Sequence, residues 1–236
     1  MDSKRFHHFS LRRFLEELER RDTPTFTALP AFTTGINTPT VIASGDFNGD
    51  GYADLAIGND TNEAVTPASP ASVTIELGNG DGTFTQVQTL TDVNLGTPQS
   101  IVVADFNHDG IPDLVVGSIS SVDGLDVFLG KGDGAFTGPT LSLNIPVIAV
   151  GVADFNGDGN PDLVVLSPEI GSTDASYQIF PGLGNGTFTT TTTPQDTTAD
   201  VSRIVTGDFD NDGHQDFILG DAGDNLLVPF FGDGTG

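Results

Sequence analysis

The sequence contains 236 residues, with 33 acidic and 8 basic side chains, a net charge of −25 and no cysteine. The absence of cysteine excludes disulfides, thiolate metal sites and thiol nucleophiles. The negative charge argues against nucleic acids and anionic membranes as partners, because it would repel their phosphate groups.

The first predicted element is a basic amphipathic helix. Residues 1–21 hold six of the eight basic side chains, whereas residues 22–236 carry a net charge of −27. Ser10 is a typical N-cap, and an apolar stripe with helical spacing follows it: Leu11, Phe14, Leu15 and Leu18. We therefore expect a helix over residues 10–21 that ends before Pro24. The segment lacks the continuous apolar stretch of a secretory signal peptide. Residues 15–21 resemble a short N-terminal segment of large exported bacterial repeat proteins, and this resemblance implies a targeting element. No stretch of the sequence is long and apolar enough to span a membrane.

Two motifs alternate through the rest of the chain. The pattern Asp-x-Asn/Asp-x-Asp-Gly-x-x-Asp occurs at residues 46–54, 105–113, 154–162 and 208–216. The apolar runs beside it, such as residues 101–104 and 114–116, are typical of short buried strands. A second motif, with glycine at alternating positions before a phenylalanine, occurs at residues 77–84, 129–136 and 181–188, and a fourth copy starts at residue 231. Such glycines are typical of tight hairpin turns with positive φ.

These motifs predict four antiparallel strands per repeat, one before and one after each motif. Four-stranded units of this length are typical of propeller blades, so we predict an all-β propeller over residues 22–236 with four visible repeats. Residues 25–34 begin like the strand after the glycine turn, so the sequence starts one strand out of phase. Both a closed four-blade propeller, completed by that strand, and a part of a larger propeller fit this pattern.

The aspartate motif has the chemistry of a calcium loop. Side chains at positions 1, 3 and 5 can turn inward, glycine at position 6 allows a sharp turn, position 7 offers a carbonyl and position 9 closes the site. Such an oxygen cage suits Ca²⁺ better than Mg²⁺. An EF-hand would carry an acid at position 12, where this chain has Ile57, Val116, Val165 and Leu219. A single copy would favour an ordinary solvated turn, but the four copies in register hold 13 of the 27 aspartates and favour metal binding.

The alternation of the two motifs resembles the FG-GAP/VCBS repeat family of calcium-binding propeller blades, found in integrin α-subunits and many bacterial surface proteins. The resemblance covers residues 25–236, although the family commonly forms seven blades and only four are visible. It implies up to four Ca²⁺ ions. The implied side-chain ligands are Asp46, Asn48, Asp50 and Asp54; Asp105, Asn107, Asp109 and Asp113; Asp154, Asn156, Asp158 and Asp162; and Asp208, Asp210, Asp212 and Asp216. The implied carbonyl ligands are those of Tyr52, Ile111, Asn160 and His214.

We therefore expect a calcium-binding, non-enzymatic interaction or adhesion module, exported to the bacterial cell surface or the extracellular space. The alternative is an accessory or catalytic part of an enzyme that acts on extracellular polysaccharide. Against it, Glu63, Glu76 and Glu169 lie in different repeats, and the chain has no tryptophan and only two tyrosines for stacking on sugars. The side chains of His108 and His214 are interpreted as exposed turn residues. A protein or glycan ligand is expected on the face opposite the calcium loops, where connections vary in length and residues 59–71 form the longest.

Overall fold

The computed structural model describes residues 38–61, 70–91, 96–119, 124–169, 174–190, 193–197, 201–221 and 225–235. Tertiary contacts divide the chain into two units, Met1–Phe32 and Thr33–Gly236, and the described residues all belong to the second. They form β-strands and no helix, and none of them builds a helix that could cross a membrane. The helix predicted at residues 10–21 and the strand predicted at residues 25–34 lie outside the described residues. The domain boundary predicted at residue 21 stays a prediction.

Fifteen strands follow one another along the described residues. They are β1 (Pro39–Gly45), β2 (Asp54–Asn59), β3 (Ser72–Gly78), β4 (Phe84–Leu90), β5 (Pro98–Ala104), β6 (Asp113–Ser118), β7 (Leu125–Phe128), β8 (Leu141–Leu143), β9 (Ala149–Ala153), β10 (Asp162–Pro168), β11 (Ala175–Phe180), β12 (Gln195–Asp196), β13 (Val201–Gly207), β14 (Asp216–Asp221) and β15 (Leu226–Phe230).

The strands form four antiparallel sheets, one for each sequence repeat. Sheet 1 has the order β1-β2-β3-β4, sheet 2 the order β5-β6-β7-β8 and sheet 3 the order β9-β10-β11-β12. Sheet 4 has the order β13-β14-β15 within the part of the chain that the structure describes. Within each sheet, strands that are consecutive in the sequence pair with each other, which confirms the predicted four-stranded unit for the first three repeats.

The second strand of sheets 2 and 3 is buried along all or most of its length. β6 is buried along its whole length, and β10 is buried from Asp162 to Leu166. Both strands are runs of valine and leucine because each lies between two neighbouring sheets and must be apolar on both faces. A continuous apolar run, rather than an alternating one, is thus the signature of this strand.

The hydrophobic core lies between consecutive sheets. We call the face that packs on the following sheet the forward face, and the opposite one the rear face. Phe47 and Val73 lie on the forward face of sheet 1 and pack with Ile101 and Leu114 on the rear face of sheet 2. Equivalent clusters join sheet 2 to sheet 3 and sheet 3 to sheet 4. Consecutive repeats therefore bury the apolar faces that they turn toward each other, as in other repeat proteins.

An aromatic pair marks two of these interfaces. The ring of Phe47, at position 2 of the first aspartate motif, meets Phe136 edge to face at a centroid distance of 5.3 Å. Phe106 meets Phe188 in the same way at 5.5 Å. In both pairs the second ring follows the glycine turn of the next sheet, and such pairs contribute about 0.5–1.5 kcal/mol beyond burial. The two phenylalanines of the sequence repeat are therefore partners across an interface.

Candidate metal centre

Each aspartate motif forms the loop between the first and second strands of its sheet. We number the loops 1 to 4 in chain order and the positions 1 to 9 within each loop. The residue before the loop pairs with position 9, as Gly45 does with Asp54 and Gly207 with Asp216. The same pairing occurs in sheets 2 and 3. This pairing fixes both ends of the loop, so each of the four loops lies at the equivalent edge of its sheet. The strands that were predicted on either side of each motif are confirmed.

The carboxylate at position 1 is enclosed by its own loop. In loop 1, Oδ1 of Asp46 accepts hydrogen bonds from the backbone N–H groups of Gly49 and Asp50 at 2.8 and 3.1 Å. Its Oδ2 accepts one from Gly51 at 3.0 Å. The bonds to positions 5 and 6 recur in the other loops at 2.8–3.1 Å. The backbone of each loop therefore turns around this carboxylate.

Positions 3 and 5 fold inward by local hydrogen bonds. Oδ1 of Asn48 accepts from the backbone N–H of Asp50 at 3.0 Å, and its amide donates to the Asp50 carboxylate at 2.8 Å. That carboxylate also accepts from the backbone N–H of Tyr52 at 2.8 Å. The same three bonds form in loops 2 and 3. These contacts bring the side chains of positions 1, 3 and 5 together in one turn.

Loop 4 differs from the other loops at position 3, where an aspartate replaces the asparagine and adds a third exposed carboxylate to those of positions 1 and 5. Asp210 stands at position 3, where an ionised side chain has no proton to donate to Asp212. Desolvation raises the pKa of Asp210, and the negative charge of Asp212 raises it further. One carboxylate oxygen each of Asp208, Asp210 and Asp216 lie within 4.8 Å of one another. Like charges at this spacing favour either protonation or a bound cation.

The carboxylate at position 9 is buried and connects two turns. Oδ2 of Asp54 accepts from the backbone N–H of Phe47 at 2.7 Å, and its Oδ1 accepts from that of Gly78, in the glycine turn, at 2.8 Å. The equivalent two bonds in the other loops measure 2.7–2.9 Å. The sequence predicted only that position 9 closes the loop. Its connection to the following hairpin is a second, structural role.

The pKa of the aspartate at position 9 is shifted in opposite directions in different loops. Burial raises the pKa of Asp113 and Asp162, although backbone N–H bonds to each, two to Asp113 and three to Asp162, oppose this. The pKa of Asp216 is instead lowered, because the N–H bonds from Gly232 and Phe209 outweigh its desolvation. All three side chains are buried, but Phe209 beside Asp216 is half exposed. The direction of the shift therefore differs between loops 2 and 3 on the one hand and loop 4 on the other.

A pH dependence of the metal-free protein follows from these directions. A carboxyl whose pKa is raised by folding stabilises the fold when protonated and loses that contribution as the pH rises. Asp113 and Asp162 are of this kind. Groups with a lowered pKa, such as Asp216, keep their contribution above the unfolded pKa near 3.8. We therefore expect the unfolding free energy in chelator to rise as the pH falls from neutrality toward the raised pKa values of Asp113 and Asp162. Urea unfolding at several pH values measures it, and a fall over this range contradicts the assignment.

The tight loop needs a left-handed backbone at two positions. Position 6 is glycine in every loop, with φ between 83° and 94°. Position 4 also has positive φ, and there His108 and Asn211 adopt φ of 60° and 66° where loops 1 and 3 use glycine. The geometry agrees with the interpretation of His108 as a turn residue. The requirement at position 4 was missed in the sequence because histidine obscures it.

The substitution Gly51→Ala tests this backbone requirement. A Cβ at Gly51 would contact nothing within 4 Å, so only its φ of +85° opposes the change. We expect a loss of about 1–2 kcal/mol of unfolding free energy. Gly138→Ala is the matched control, because Gly138 also has open space around it but no positive φ. Chemical denaturation of both variants in chelator makes the comparison, and equal effects at the two sites would contradict the explanation.

The glycine turn fits directly against the loop. A Cβ on Gly78 would lie 2.3 Å from the carbonyl oxygen of Ala53, at position 8 of loop 1. The equivalent distances for Gly130, Gly182 and Gly232 are 2.4, 2.2 and 2.3 Å. Only glycine permits this approach. The loops and glycine turns therefore lie at the same edge of the sheets, as the alternating strand directions predicted.

Hydrogen bonds also join the loop edges of neighbouring sheets. The backbone N–H of Gly134 in sheet 2 donates to the carbonyl of Phe47 in sheet 1 at 3.1 Å, and Gly186 donates likewise to Phe106 at 2.9 Å. Nε2 of His108 in loop 2 lies 2.8 Å from Oδ1 of Asn160 in loop 3. Any change in loop geometry is therefore transmitted to the packing of the next sheet.

The aspartate loop, the glycine turn and the interface phenylalanines recur along the chain, so its sequence can be compared with models of repeat families. A model described as FG-GAP-like repeat matches residues 46–116, 114–165 and 154–219. These segments include all four aspartate motifs and well over half of the chain. The chain belongs to the FG-GAP-like repeat family. A search of curated proteins found no match. The first and third segments begin at position 1 of loops 1 and 3 of this FG-GAP-like protein.

One carboxyl pair lies at the opposite edge of the sheets. Glu169, just after β10, forms a hydrogen bond with Asp196 of β12, which raises the pKa of Glu169. Sequence reasoning missed this pair because the two residues are far apart in the chain. Asp196 is exposed, and Glu76 is buried in a strand with a pKa raised by burial. Glu63 lies outside the described residues.

Proposed function

We propose that this FG-GAP-like protein is a calcium-binding, non-enzymatic module for extracellular or cell-surface interaction. The observation that carries the proposal is the recurrence of the same inward-folded aspartate loop in four sheets, together with the oxygens of three aspartates that lie within 4.8 Å of one another in loop 4. Residues 22–236 contain only two lysines or arginines, Lys131 and Arg203, to balance their acidic side chains. A divalent cation is the simplest counter-charge for such loops.

The residues of each loop fit Ca²⁺. Every proposed ligand is an oxygen: side chains at positions 1, 3, 5 and 9 and the carbonyl at position 7. An ionised carboxylate has about four acceptor sites, so the N–H bonds already formed leave lone pairs for a cation. Bound calcium would supply two positive charges to the loop. The loop residues would hold it by hard oxygen donors with the flexible geometry that calcium accepts.

The arrangement of the sheets supports a propeller. Consecutive sheets pack face to face, and β1 contacts β5, β5 contacts β9 and β9 contacts β13. The first strands are thus neighbours, as they are around the axis of a propeller. We propose that each sheet is a blade and that the calcium loops all lie on one side of the array. Calcium would then stabilise the scaffold.

We propose that a protein or glycan ligand binds at the opposite edge. The connections there differ in length between sheets, whereas the calcium loops repeat, and binding residues tend to lie on variable loops of a rigid scaffold. Residues 59–71 form the longest of these connections, and most of them lie outside the described residues.

Arrays of glycans and extracellular matrix proteins, probed with the full chain in calcium, test this proposal. Replacing residues 60–71 by a short Gly/Ser turn should remove at least 10-fold of the affinity for any captured array component, which corresponds to about 1.4 kcal/mol. Leu183→Asp, on a glycine turn at the calcium edge, is the control and should bind normally. Binding lost in the control and kept in the loop replacement would move the ligand site to the calcium edge.

A further inference from the structure

The forward face of sheet 4 is apolar and exposed. Phe47, Phe106 and Phe155, at position 2 of loops 1 to 3, are buried against the next sheet, whereas their counterpart Phe209 is 47% exposed. Leu227 occupies the place of Val73 in sheet 1 and is 74% exposed. Sheet 4 therefore presents to solvent the same surface that the other three sheets bury.

Val205 extends this surface along β13. It occupies the place of Ala43 in β1 and Val102 in β5, both of which pack into an interface with the next sheet. Val205 is instead 56% exposed. Exposed apolar side chains that form one contiguous patch, rather than single residues, mark interaction sites.

The rear face of sheet 1 presents the complementary surface. Ile101 of β5 and Val150 of β9 are buried because they insert against the preceding sheet. Ile42 holds the same place in β1, four residues before its aspartate motif, and is 61% exposed. A forward face and a rear face thus lie open at the two ends of the described array. Elsewhere in the chain, every forward face of this kind packs on the rear face of the following sheet.

We propose that the forward face of sheet 4 binds the rear face of sheet 1 in a second copy of this chain. The contact would continue the packing that already joins sheets 1 to 2, 2 to 3 and 3 to 4. It is a head-to-tail interface, in which different surfaces of the two copies meet. Two such contacts close a symmetric ring of two copies if the rotation allows it.

Charge sets the conditions for this association. Each copy carries a net charge of −25, so long-range repulsion opposes the contact while apolar burial favours it. Added salt screens the repulsion. The association is therefore expected to strengthen as ionic strength rises, in contrast to an interface held by opposite charges.

Sedimentation of the full chain at several protein and salt concentrations tests the proposal. The wild-type protein should form dimers that increase with salt, and Leu227→Asp or Ile42→Asp should each reduce the association constant at least 10-fold. Leu183→Asp is the matched control, because Leu183 is also exposed but lies on a glycine turn away from both faces. Circular dichroism establishes that the variants are folded. A wild-type monomer at all concentrations, or equal loss of association in the control, overturns the proposal.

A mixture of the two variants tests the head-to-tail geometry. The Leu227→Asp chain keeps an intact rear face on sheet 1, and the Ile42→Asp chain keeps an intact forward face on sheet 4. Mixing them should therefore give one-to-one complexes, although each variant alone stays monomeric. If Ile42→Asp alone associates as well as the wild type, two forward faces bind each other and the head-to-tail assignment is wrong.

Discussion

Chelation of calcium at neutral pH should greatly lower the thermal stability of this protein. Without a cation, each loop holds three or four carboxylates in one turn, and their repulsion opposes the folded geometry. A site with a micromolar dissociation constant adds about 4 kcal/mol at millimolar calcium, because calcium binds the folded chain and not the unfolded one. With four loops this is the largest effect that we expect of any single treatment.

Thermal unfolding followed by circular dichroism, in calcium and in chelator, measures this effect. Magnesium at the same concentration is the control and should restore little stability, because it requires a smaller and more rigid octahedral site. Sodium chloride at equal ionic strength separates specific binding from general screening of the net charge of −25. Identical melting curves in calcium and in chelator would contradict the proposed loops.

Asp113→Asn should destabilise the protein whether or not calcium is present. Both carboxylate oxygens of Asp113 accept backbone N–H bonds, from Phe106 at 2.9 Å and from Gly130 at 2.8 Å, in a buried position. An asparagine offers one acceptor oxygen and turns an N–H₂ group toward the other donor. Leaving a buried donor unpaired and losing a charged acceptor should cost about 2–4 kcal/mol.

The matched variant is Asp109→Asn, at position 5 of the same loop. Asp109 is exposed, so an asparagine there can keep the bond from the backbone N–H of Ile111, while water replaces it as the partner of the Asn107 amide. This variant should lose stability in calcium and behave like the wild type in chelator. Urea unfolding of both variants, in calcium and in chelator, gives four unfolding free energies to compare with those of the wild type. Equal behaviour of Asp109→Asn and Asp113→Asn in chelator would contradict a separate structural role for position 9.

The repeats allowed much of this fold to be predicted. The period of the two motifs gave the four sheets, and the apolar runs gave the first two strands of each. The outer strands were harder, because β8 and β12 contain three and two residues and lack a periodic pattern. The open forward face of sheet 4 could not be predicted, because Phe209 and Leu227 are the same kinds of residue as their buried counterparts. Their exposure depends only on the absence of a sheet beside them in the described structure.

In the candidate site, too, some features could be predicted from the sequence and others could not. The choice of aspartate, asparagine and glycine at fixed spacing predicted a loop that turns its oxygens inward, since those residues form such turns by local hydrogen bonds. The bond from Asp54 to Gly78 crosses from the loop to the next hairpin, and the bond from Gly134 to Phe47 crosses to the next sheet. Contacts of this kind join distant residues through the backbone, so residue types do not reveal them.

Calcium stoichiometry is the most direct test of the account. Isothermal titration of the metal-free full chain with calcium chloride should give four bound ions per chain. A quadruple variant with asparagine at position 5 of every loop, Asp50→Asn, Asp109→Asn, Asp158→Asn and Asp212→Asn, should bind at least 10-fold more weakly. A wild-type chain that binds no calcium at millimolar concentration would contradict the account, and so would equal binding by the quadruple variant.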